Sequence, residues 1–495
     1  MNRYSNHMNI FFLVWRNGYI KRLIRNSLLR DRVINFTSLA IVNQNHGYLD
    51  TLTIEDKLEN NIFIRLVIKD TITFLEYINT PDKRLVNDLI VCVVDGGGGD
   101  SALFDWCVVF KEFGHLHRLE LEVSRQMSTH GIQLQLPHSI TDLRITRSLV
   151  ESNDQFYSEF IQEVLRCLPD KLCYLSLPNG LTITTEVVLP GSVVDLEFES
   201  TFDNLCRLRV PPNRVFPSCR LKVRSPEALD WLQGQRWITS VLIARLWADK
   251  IDHTFNTNIL PSRVCALEIH YQHDYRVELF ERHSLPSNLE SFTVFLYNRP
   301  IGPHVLPSTL KVLNLSGFNH ELEMGILPNT LTSLNLSVFN KELKPMVLPN
   351  QLQTLSLDSF KNNGLHLSPN SLPPSLTCLN LPSYYGSFSS VGPLKKLSVL
   401  SLYSLGQCQS IIDNIFLSRR LEISFQDIDQ GINLQLQTHI KHLYLHYIGL
   451  AELIVDSKEF ILPPSLFKLT TYNIDLRNND QIPEGCIHIT KDNDK

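Results

Sequence analysis

The 495-residue sequence lacks several features that would assign it quickly to a class of protein. Its longest apolar runs are about six residues, at 10–15 and 89–94, whereas a membrane-spanning helix needs roughly 20. Its ten cysteines contain no Cys-x-x-Cys pair, so no zinc site is predicted. Its net charge is only −5, which gives no bulk reason to expect nucleic acid or an anionic membrane as a partner. We therefore expect no membrane span and a compartment that keeps thiols reduced, the cytoplasm or the nucleus.

What the sequence does have is a repeat of 21 residues. A Leu-Pro pair recurs at constant spacing, an aromatic residue follows 11 positions later, and asparagine follows the first three aromatics: Pro286, Pro307, Pro328, Pro349; Tyr297, Phe318, Phe339, Phe360; Asn298, Asn319, Asn340. The unit reads LPxxLxxLxLxx(F/Y)Nxx(I/L). A match of this kind at constant spacing predicts a solenoid.

A looser form of the frame extends the array on both sides. Alternating apolar residues also follow further prolines: Pro137, Pro169, Pro190, Pro261, Pro373 and Pro463. From Pro137 to Pro463 is 326 residues, about 15 units of 21. Residues 211–258 contain no clear copy, so an insertion or strongly degenerate turns are expected there.

Each clear unit contains one short strand. In Leu313-Asn314-Leu315 the leucines alternate with a polar residue, which is typical of a half-buried strand. Stacking one strand per unit gives a parallel sheet with about 4.8 Å between turns. The other residues of the unit are too few for a helix, so the return path should be extended or a short turn. The proline must lie outside the strand because it cannot donate a ladder hydrogen bond, and asparagines in register can form a ladder of their own.

These residues resemble the FNIP repeat family, which is abundant in social amoebae and named for a Phe-Asn-x-Pro-Ile core. The segment Tyr297-Asn298-Arg299-Pro300-Ile301 is closest to that core, and residues 285–364 match most clearly. The resemblance implies a leucine-rich-repeat-like fold and supplies no catalytic residues. Some viral relatives join an F-box to such repeats, which implies substrate receptors of ubiquitin ligases.

The N-terminal segment has a helical pattern with basic residues. Apolar residues from Phe12 to Leu28 recur at helical spacing among several arginines and lysines, with Gly18 as an interruption. Residues 11–24 also look like the N-terminus of slime-mould members of the family. Three interpretations remain open: a cap on the first turn of the solenoid, an F-box-like or other docking helix, and a membrane-surface helix.

Two segments raise the question of an enzyme. Residues 91–106 place an apolar strand before a glycine run, Gly96 to Gly99, as phosphate-binding loops do, but Gly-Lys-Ser/Thr is absent and the glycine spacing does not match GxGxxG. Asp195, Glu197 and Glu199 alternate on a predicted strand without a partner base or nucleophile. Neither segment supports a catalytic site, so the enzyme hypothesis stays an unfavoured alternative.

The strand phase predicts which residues face solvent. Asn314, Asn335 and Ser356 should form one continuous row across three turns. In the segment HIKHLYLHY, His442, Tyr444 and His446 should line the same side of a later strand. We take these six residues as the candidate partner-binding residues, with no catalytic, cofactor-binding or metal-binding residue predicted.

The sequence as a whole predicts a β-rich, leucine-rich-repeat-like solenoid with one long parallel sheet and an N-terminal helical cap. The expected boundaries are a cap at 1–45, degenerate repeats or a capping region at 46–130, the repeat solenoid at 131–471 and a polar tail at 472–495. The expected function is a non-catalytic scaffold that binds protein partners and has no cofactor. A ubiquitin-ligase substrate receptor, which would require a Skp1-like partner, is the first alternative, and a nucleotide-binding enzyme is the second.

Overall fold

The computed structural model describes residues 17–93, 113–123, 135–147, 157–243, 257–270, 280–361, 367–386, 388, 390–407, 409, 411, 419–428, 432–437, 439–449, 452–455, 460–476 and 482–491. The chain divides into two units, Met1–Lys222 with Arg236–Ile238 and Val223–Gln235 with Thr239–Lys495. In each unit one strand per turn pairs in parallel with the strand of the next turn.

The first unit begins with helices and continues as a parallel sheet. Its sheet strands are β1 Val33–Phe36, β2 Phe63–Ile68, β3 Asp88–Val93, β4 Arg118–Val123, β5 Asp142–Arg147, β6 Tyr174–Ser176, β8 Asp195–Thr201 and β10 Phe216–Val223, with a separate small pair formed by β7 Val187–Val188 and β9 Leu208–Arg209. Its helices are α1 Gly18–Leu29, α2 Leu39–Gln44, α3 His46–Leu49, α4 Ile54–Glu59, α5 Thr71–Asn79, α6 Glu159–Arg166 and α7 Phe202–Leu205, with a 3-10 turn at Pro81–Leu85.

The longer turns of the first unit have room for these helices. Pro137 and Pro169 lie 32 residues apart, and α6 occupies part of the additional length. Ser158 begins α6 because its hydroxyl accepts a hydrogen bond from the Ile161 amide at 3.4 Å. The expectation of helix-free turns therefore holds for the 21-residue units and not for the longer ones.

The second unit contains the clear repeats. Its main strands are β11 Ile238–Ile243, β12 Ala266–Ile269, β13 Ser291–Val294, β14 Val312–Asn314, β15 Ser333–Asn335, β16 Thr354–Ser356, β17 Cys378–Leu381, β18 Val399–Leu402, β19 Arg420–Phe425, β21 His442–Tyr447, β24 Lys468–Tyr472 and β26 Ile487–Lys491. Two small parallel pairs accompany them, β20 Ile432–Asn433 with β23 Phe460–Ile461 and β22 Leu453–Val455 with β25 Ile474–Leu476. The α-helix α8 Pro226–Gly234 and 3-10 turns at Thr257–Ile259 and Leu405–Gln407 are further elements of this unit.

The leucines of the clear repeats form the core. Leu313 and Leu315 are both buried, while Asn314 between them is half-buried on the other side of the strand, as the strand phase predicts. The proline closes a tight turn just before the strand, since the Leu310 amide donates to the Pro307 carbonyl at 3.1 Å. A hydroxyl in the same turn ties neighbouring turns together, because Thr330 Oγ1 donates to the Leu310 carbonyl at 2.8 Å.

The aromatic and asparagine positions of the repeat form two columns along the second unit. The rings of Phe339 and Phe360 stack at 6.3 Å, with 11° between their planes. The Asn340 amide donates to Asn319 Oδ1 at 2.8 Å, and the Lys361 amide donates to Asn340 Oδ1 at 3.0 Å. The predicted asparagine ladder is therefore present, and it ends at Lys361 because a lysine side chain has no acceptor to offer the next turn.

The fold prediction is confirmed: the chain is a leucine-rich-repeat-like β-solenoid with parallel strands and helices at its N-terminal side. Within residues 211–258, β10 pairs with β8 and is followed by α8, so that part of the chain contains strongly degenerate turns. The predicted boundaries at 45, 130 and 471 stay a proposal; paired strands occur both in residues 33–123 and in β26. No helix in the described part of the chain is long and apolar enough to cross a membrane.

Candidate binding surface

The predicted row of Asn314, Asn335 and Ser356 is continuous in the second unit. Strand pairing places Asn314 beside Asn335, and Asn335 beside Ser356. The same row continues on both sides in uncharged residues that the sequence analysis did not select: Thr293, Asn380 and Ser401. A signal for them was present in the sequence, because each precedes the second inward-facing residue of its own strand.

The side chains of this row hold one another in place. Asn380 Nδ2 donates to Ser356 Oγ and to Asp358 Oδ1, both at 2.8 Å, and Ser356 Oγ donates to the same carboxylate oxygen at 2.8 Å. Asn314 differs, because its Oδ1 is buried and has no hydrogen-bond partner. The row therefore combines preorganised amides and hydroxyls with one unsatisfied acceptor.

The second predicted group, His442, Tyr444 and His446, lies on β21 with its side chains half-buried. Strand pairing places Ser401 beside Ser424 and Ser424 beside His446, so His446 of the second group belongs to the same register row as Asn314, Asn335 and Ser356, while His442 and Tyr444 belong to neighbouring rows. The sequence could not reveal this, because the spacing between strands departs from 21 residues after Phe360.

Charged and aromatic neighbours surround that second group. The Arg420 guanidinium lies over the Tyr444 ring, 4.3 Å from its centroid, and the rings of His446 and Tyr472 are 5.3 Å apart. Lys491 Nζ lies 5.4 Å from the centroid of the Tyr472 ring. Arg420 and Lys491 were missed at the sequence level because they lie on different strands, β19 and β26.

The solvent-facing side of the first unit is built from ion pairs. Strand pairing places Arg65, Asp88, Arg118 and Asp142 side by side on four consecutive strands. Arg65 contacts Asp88 at 2.9 Å, Arg118 contacts Asp142 at 3.3 Å, and Arg144 contacts Asp142 at 3.1 Å. Alternation of charged and apolar residues in RLELEV and DLRITR was the sequence signal for this ladder.

Burial changes the proton affinities of this ladder. Burial raises the pKa of Asp88, although the hydrogen bond from Arg65 acts in the opposite direction. Burial also lowers the pKa of Arg118, against the attraction of Asp142 and Asp88. These charges depend on one another for stabilisation, so the ladder is a poor candidate for a surface that exchanges partners.

The acidic segment of β8 is largely engaged within the chain. The Tyr174 hydroxyl donates to Glu197, and Arg220 lies 3.4 Å from Glu199. Asp195 Oδ1 is buried without a hydrogen-bond partner. Glu197 and Glu199 are therefore engaged by residues of the neighbouring strands β6 and β10.

Helix α1 is held to the first unit by polar contacts. Arg22 and Arg25 contact the two carboxylate oxygens of Asp56 at 2.6 and 2.7 Å, and Asn26 Nδ2 donates to Asp56 Oδ1 at 2.5 Å. Burial would raise the pKa of Asp56, but the hydrogen bonds from Arg22 and Asn26 outweigh it and hold the pKa at about 2. Asn17 caps α1, because its side-chain oxygen accepts a hydrogen bond from the Tyr19 amide, and Gly18 is the first residue of the described helix.

Four apolar residues of α1 are exposed. Tyr19 is 68% exposed and Leu28 is 72% exposed, with Leu23 and Ile24 also exposed between them. The remaining apolar residues of the described helix, Ile20 and Leu29, are half-buried. Residues 11–16, which complete the predicted segment, lie outside the described residues.

The described residues also contain a surface recess of about 510 Å³, lined by residues from 257 to 262, 282 to 287 and 304 to 308. Arg282, His283 and His304 border it, and Ser284 Oγ is buried there without a hydrogen-bond partner. Within the described ranges, no group of three histidine, cysteine or carboxylate side chains could hold a metal ion. The Gly96 to Gly99 run lies outside those ranges, so the nucleotide-binding alternative stays a hypothesis.

Comparison with known proteins supports the repeat assignment. Residues 318–360 and 339–384 match the model of the family described as FNIP Repeat, so the predicted resemblance is confirmed over that part of the chain. No curated protein sequence matches the chain. Among solved structures, the chain is similar to CroV588, described as a novel circular LRR protein, with 21% identity and a TM-score of 0.36 over 77% of this chain. The chain spans about half the length of that protein, 53%.

Proposed function

Because residues 318–384 carry FNIP repeats within a parallel β-solenoid, we propose that this protein is a non-catalytic scaffold that binds protein partners on the solvent-facing side of its second-unit sheet. The observation that carries the proposal is the register row from Thr293 to Ser401, in which each successive strand presents an amide or a hydroxyl.

The row has the physical properties of a recognition surface. Its side chains are half-exposed and several are fixed by mutual hydrogen bonds, so little conformational entropy is lost when a partner binds. Repeat solenoids commonly bind along such extended surfaces.

The test introduces positively charged side chains at the three predicted positions of the row. Asn314→Arg, Asn335→Arg and Ser356→Arg in one variant should leave the fold intact, because the buried leucines of the same strands do not change. Quantitative pull-down with mass spectrometry should then reveal at least one specific partner that the wild type retains and the variant loses.

A matched control is available within the same three turns. Ser308, Asn329 and Asn350 are exposed, are also 21 residues apart, and directly follow the prolines outside the strands. Their triple replacement by arginine adds the same charge and should retain the partner profile. If both variants are folded by circular dichroism and their profiles equal that of the wild type, binding does not involve the row.

Helix α1 supports a second candidate, the docking of another protein on its exposed apolar residues. The specific observation is that the basic side chains of α1 hold it to Asp56 while Tyr19, Leu23 and Leu28 remain exposed. In the ubiquitin-ligase version of this function, that partner would be a Skp1-like protein.

This second function has its own test. Leu23→Glu with Leu28→Glu should abolish capture of a Skp1-like protein, whereas Ser27→Glu, on an exposed position of the same helix, should not. Capture that is equal in wild type and the double variant, or absent from wild type, would remove the docking-helix proposal without affecting the sheet surface.

We place the scaffold in the cytoplasm, with the nucleus as the other reducing compartment. The cysteines that the structure describes have free thiols, and Cys167, Cys173 and Cys206 are exposed. Exposed thiols of this kind persist in compartments where thiols are kept reduced.

A further inference from the structure

The last four main strands of the second unit carry an uneven distribution of charge. The solvent-facing positions of β19, β21, β24 and β26 hold three permanent cations, Arg420, Lys468 and Lys491, and one carboxylate, Glu422. We call these three cations, with Tyr444, His446 and Tyr472 between them, the C-terminal patch. Arg420 lies 3.6 Å from Glu422, and in the described part of the chain neither lysine is paired with a carboxylate.

The patch differs from the other charged surface of the protein. In the first unit, each arginine of the ladder lies beside an aspartate on a neighbouring strand. In the C-terminal patch, the lysines leave a local excess of positive charge although the whole chain has a net charge of −5. Such a local excess, rather than the bulk charge, attracts an anionic group to one place on the surface.

Aromatic rings hold two of the cations in position. Arg420 lies over the ring of Tyr444 and Lys491 lies near the ring of Tyr472, and both arrangements are cation–π contacts. Because these side chains are already restrained, less entropy is lost when an anion binds between them. The same contacts place a cation over one face of each ring, which reduces the open stacking surface that single-stranded nucleic acids use.

A small polar residue lies among these larger side chains. Thr470 pairs in register with Tyr444 on one side and Ile489 on the other, and it is only 1% exposed although its strand position faces solvent. Its Oγ1 has no hydrogen-bond partner. A carboxylate seated among Tyr444, Lys468 and Tyr472 would supply an acceptor next to that hydroxyl.

We infer that the C-terminal patch binds an acidic segment of a partner protein, in extended form, across β19 to β26. The inference rests on the proposed scaffold function and names the partner chemistry for one end of its surface. Three strand spacings cover about 14 Å, which an extended segment of about four or five residues spans. Arg420 and Lys468 lie in one register row and Lys491 lies in another, on β19, β24 and β26, so carboxylates at more than one position of that segment reach the cations.

The experiment measures fluorescence anisotropy of a labelled peptide of alternating glutamate and serine, titrated with the full chain. The glutamate peptide should bind, the same peptide with glutamine in place of glutamate should bind at least about tenfold more weakly, and added salt should weaken the glutamate peptide. Lys468→Glu with Lys491→Glu should reduce its affinity at least about tenfold. Lys395→Glu with Lys396→Glu, at exposed positions outside the patch, should leave it unchanged.

Several outcomes overturn the inference. The first is equal affinity of the protein for the glutamate and glutamine peptides. The second is an equal loss of peptide affinity in the Lys468/Lys491 and Lys395/Lys396 variants. The third is a single-stranded oligouridine that binds more tightly than the peptide and depends on Lys468 and Lys491. The triple variant of Asn314, Asn335 and Ser356 separates this inference from the wider proposal. Peptide binding that survives in that variant supports the patch even if the row binds no partner.

Discussion

The two units use the same parallel strands and buried leucines, but their solvent-facing rows differ in chemistry. In the first unit the row runs Arg65, Asp88, Arg118 and Asp142, and each charge is stabilised by a neighbour of opposite sign. In the clear repeats of the second unit the row runs through amides and hydroxyls that hydrogen-bond to one another. Since the core is similar in both, the face can vary independently of the fold.

This difference in chemistry predicts that the solvent-facing residues of the two units have different roles, in stability and in recognition. Removing one partner of a half-buried ion pair leaves the other charge poorly solvated, so the rows of the first unit are coupled to folding. Removing one hydroxyl from the rows of the second unit leaves neighbours that water can satisfy. We therefore expect substitutions on the face to affect mainly stability in the first unit and mainly binding in the second.

The largest effect on stability should come from a substitution in the buried leucine core, which is of the same kind in both units. Leu315→Arg places an unpaired charge among buried leucines and should lower the free energy of unfolding by about 4 kcal/mol or more. Asn314→Arg, one position earlier on the solvent-facing side, should change it by less than about 1 kcal/mol. Urea denaturation followed by circular dichroism measures both. Equal losses in the two variants would refute the assigned phase of the strand.

The next effect concerns the buried carboxylate that holds α1 in the first unit. Asp56→Asn removes the charge paired with Arg22 and Arg25 and should cost about 2–3 kcal/mol at neutral pH. The pKa of Asp56 is lowered to about 2, so its stabilisation is present above the unfolded pKa of about 4 and is lost as pH falls toward about 2.

Urea midpoints at neutral and acidic pH test this prediction. The wild type should lose about 2 kcal/mol more than Asp56→Asn between those conditions. Glu55→Gln, at an exposed position on α4, the helix that also contains Asp56, should show the same pH dependence of stability as the wild type. A wild type and an Asp56→Asn variant with parallel pH profiles would contradict the role of this carboxylate.

A direct comparison of the two faces is expected to give a smaller difference. Asp142→Asn removes the contacts to Arg118 and Arg144 and should cost about 1–2 kcal/mol. Ser356→Ala in the second unit should cost less than about 0.5 kcal/mol, because its neighbours Asn380 and Asp358 still bond to each other. Thermal or urea unfolding of the two single variants measures both losses of stability. A larger loss for Ser356→Ala than for Asp142→Asn would contradict the proposed difference between the two faces.

The smallest difference between two paired variants should come from the asparagine ladder. Asn319→Ala removes the acceptor of the Asn340 amide and should cost about 1 kcal/mol. Asn319→Asp keeps an acceptor oxygen at that position and should cost less than the alanine variant. The comparison uses urea midpoints of the two variants, and identical losses would mean that the ladder bond contributes nothing measurable.

The sequence predicted the parts of the fold that depend on a constant period. Leu313, Asn314 and Pro307 have the burial and positions that the 21-residue frame assigns, because every unit repeats the same contacts. The ionic ladder could not be predicted in the same way. Asp88 and Arg118 are 30 residues apart and Arg65 and Asp88 are 23 apart, so no fixed offset identifies neighbours.

The orientation of α1 was also beyond the sequence pattern. Helical periodicity left open whether α1 caps the solenoid, docks a partner or lies on a membrane, and the contact of Arg22 with Asp56, 34 residues later, could not be predicted from it. The placement of Asn314, Asn335 and Ser356 in one row followed from the period, but their role in binding stays a prediction. The C-terminal patch needed the register of β19, β21, β24 and β26, which only three-dimensional pairing provides.

The asparagine ladder also has a consequence for how such a chain can change in length. Asn319 receives the amide of Asn340 just as Asn298 receives the amide of Asn319, so successive turns are interchangeable in their contacts. Duplication or loss of a block of 21 residues between Asn298 and Asn340 recreates every ladder bond at the new junction. Each duplication or loss of one 21-residue block can therefore lengthen or shorten the stack of turns by about 4.8 Å, and the resulting chain still forms the contacts between turns.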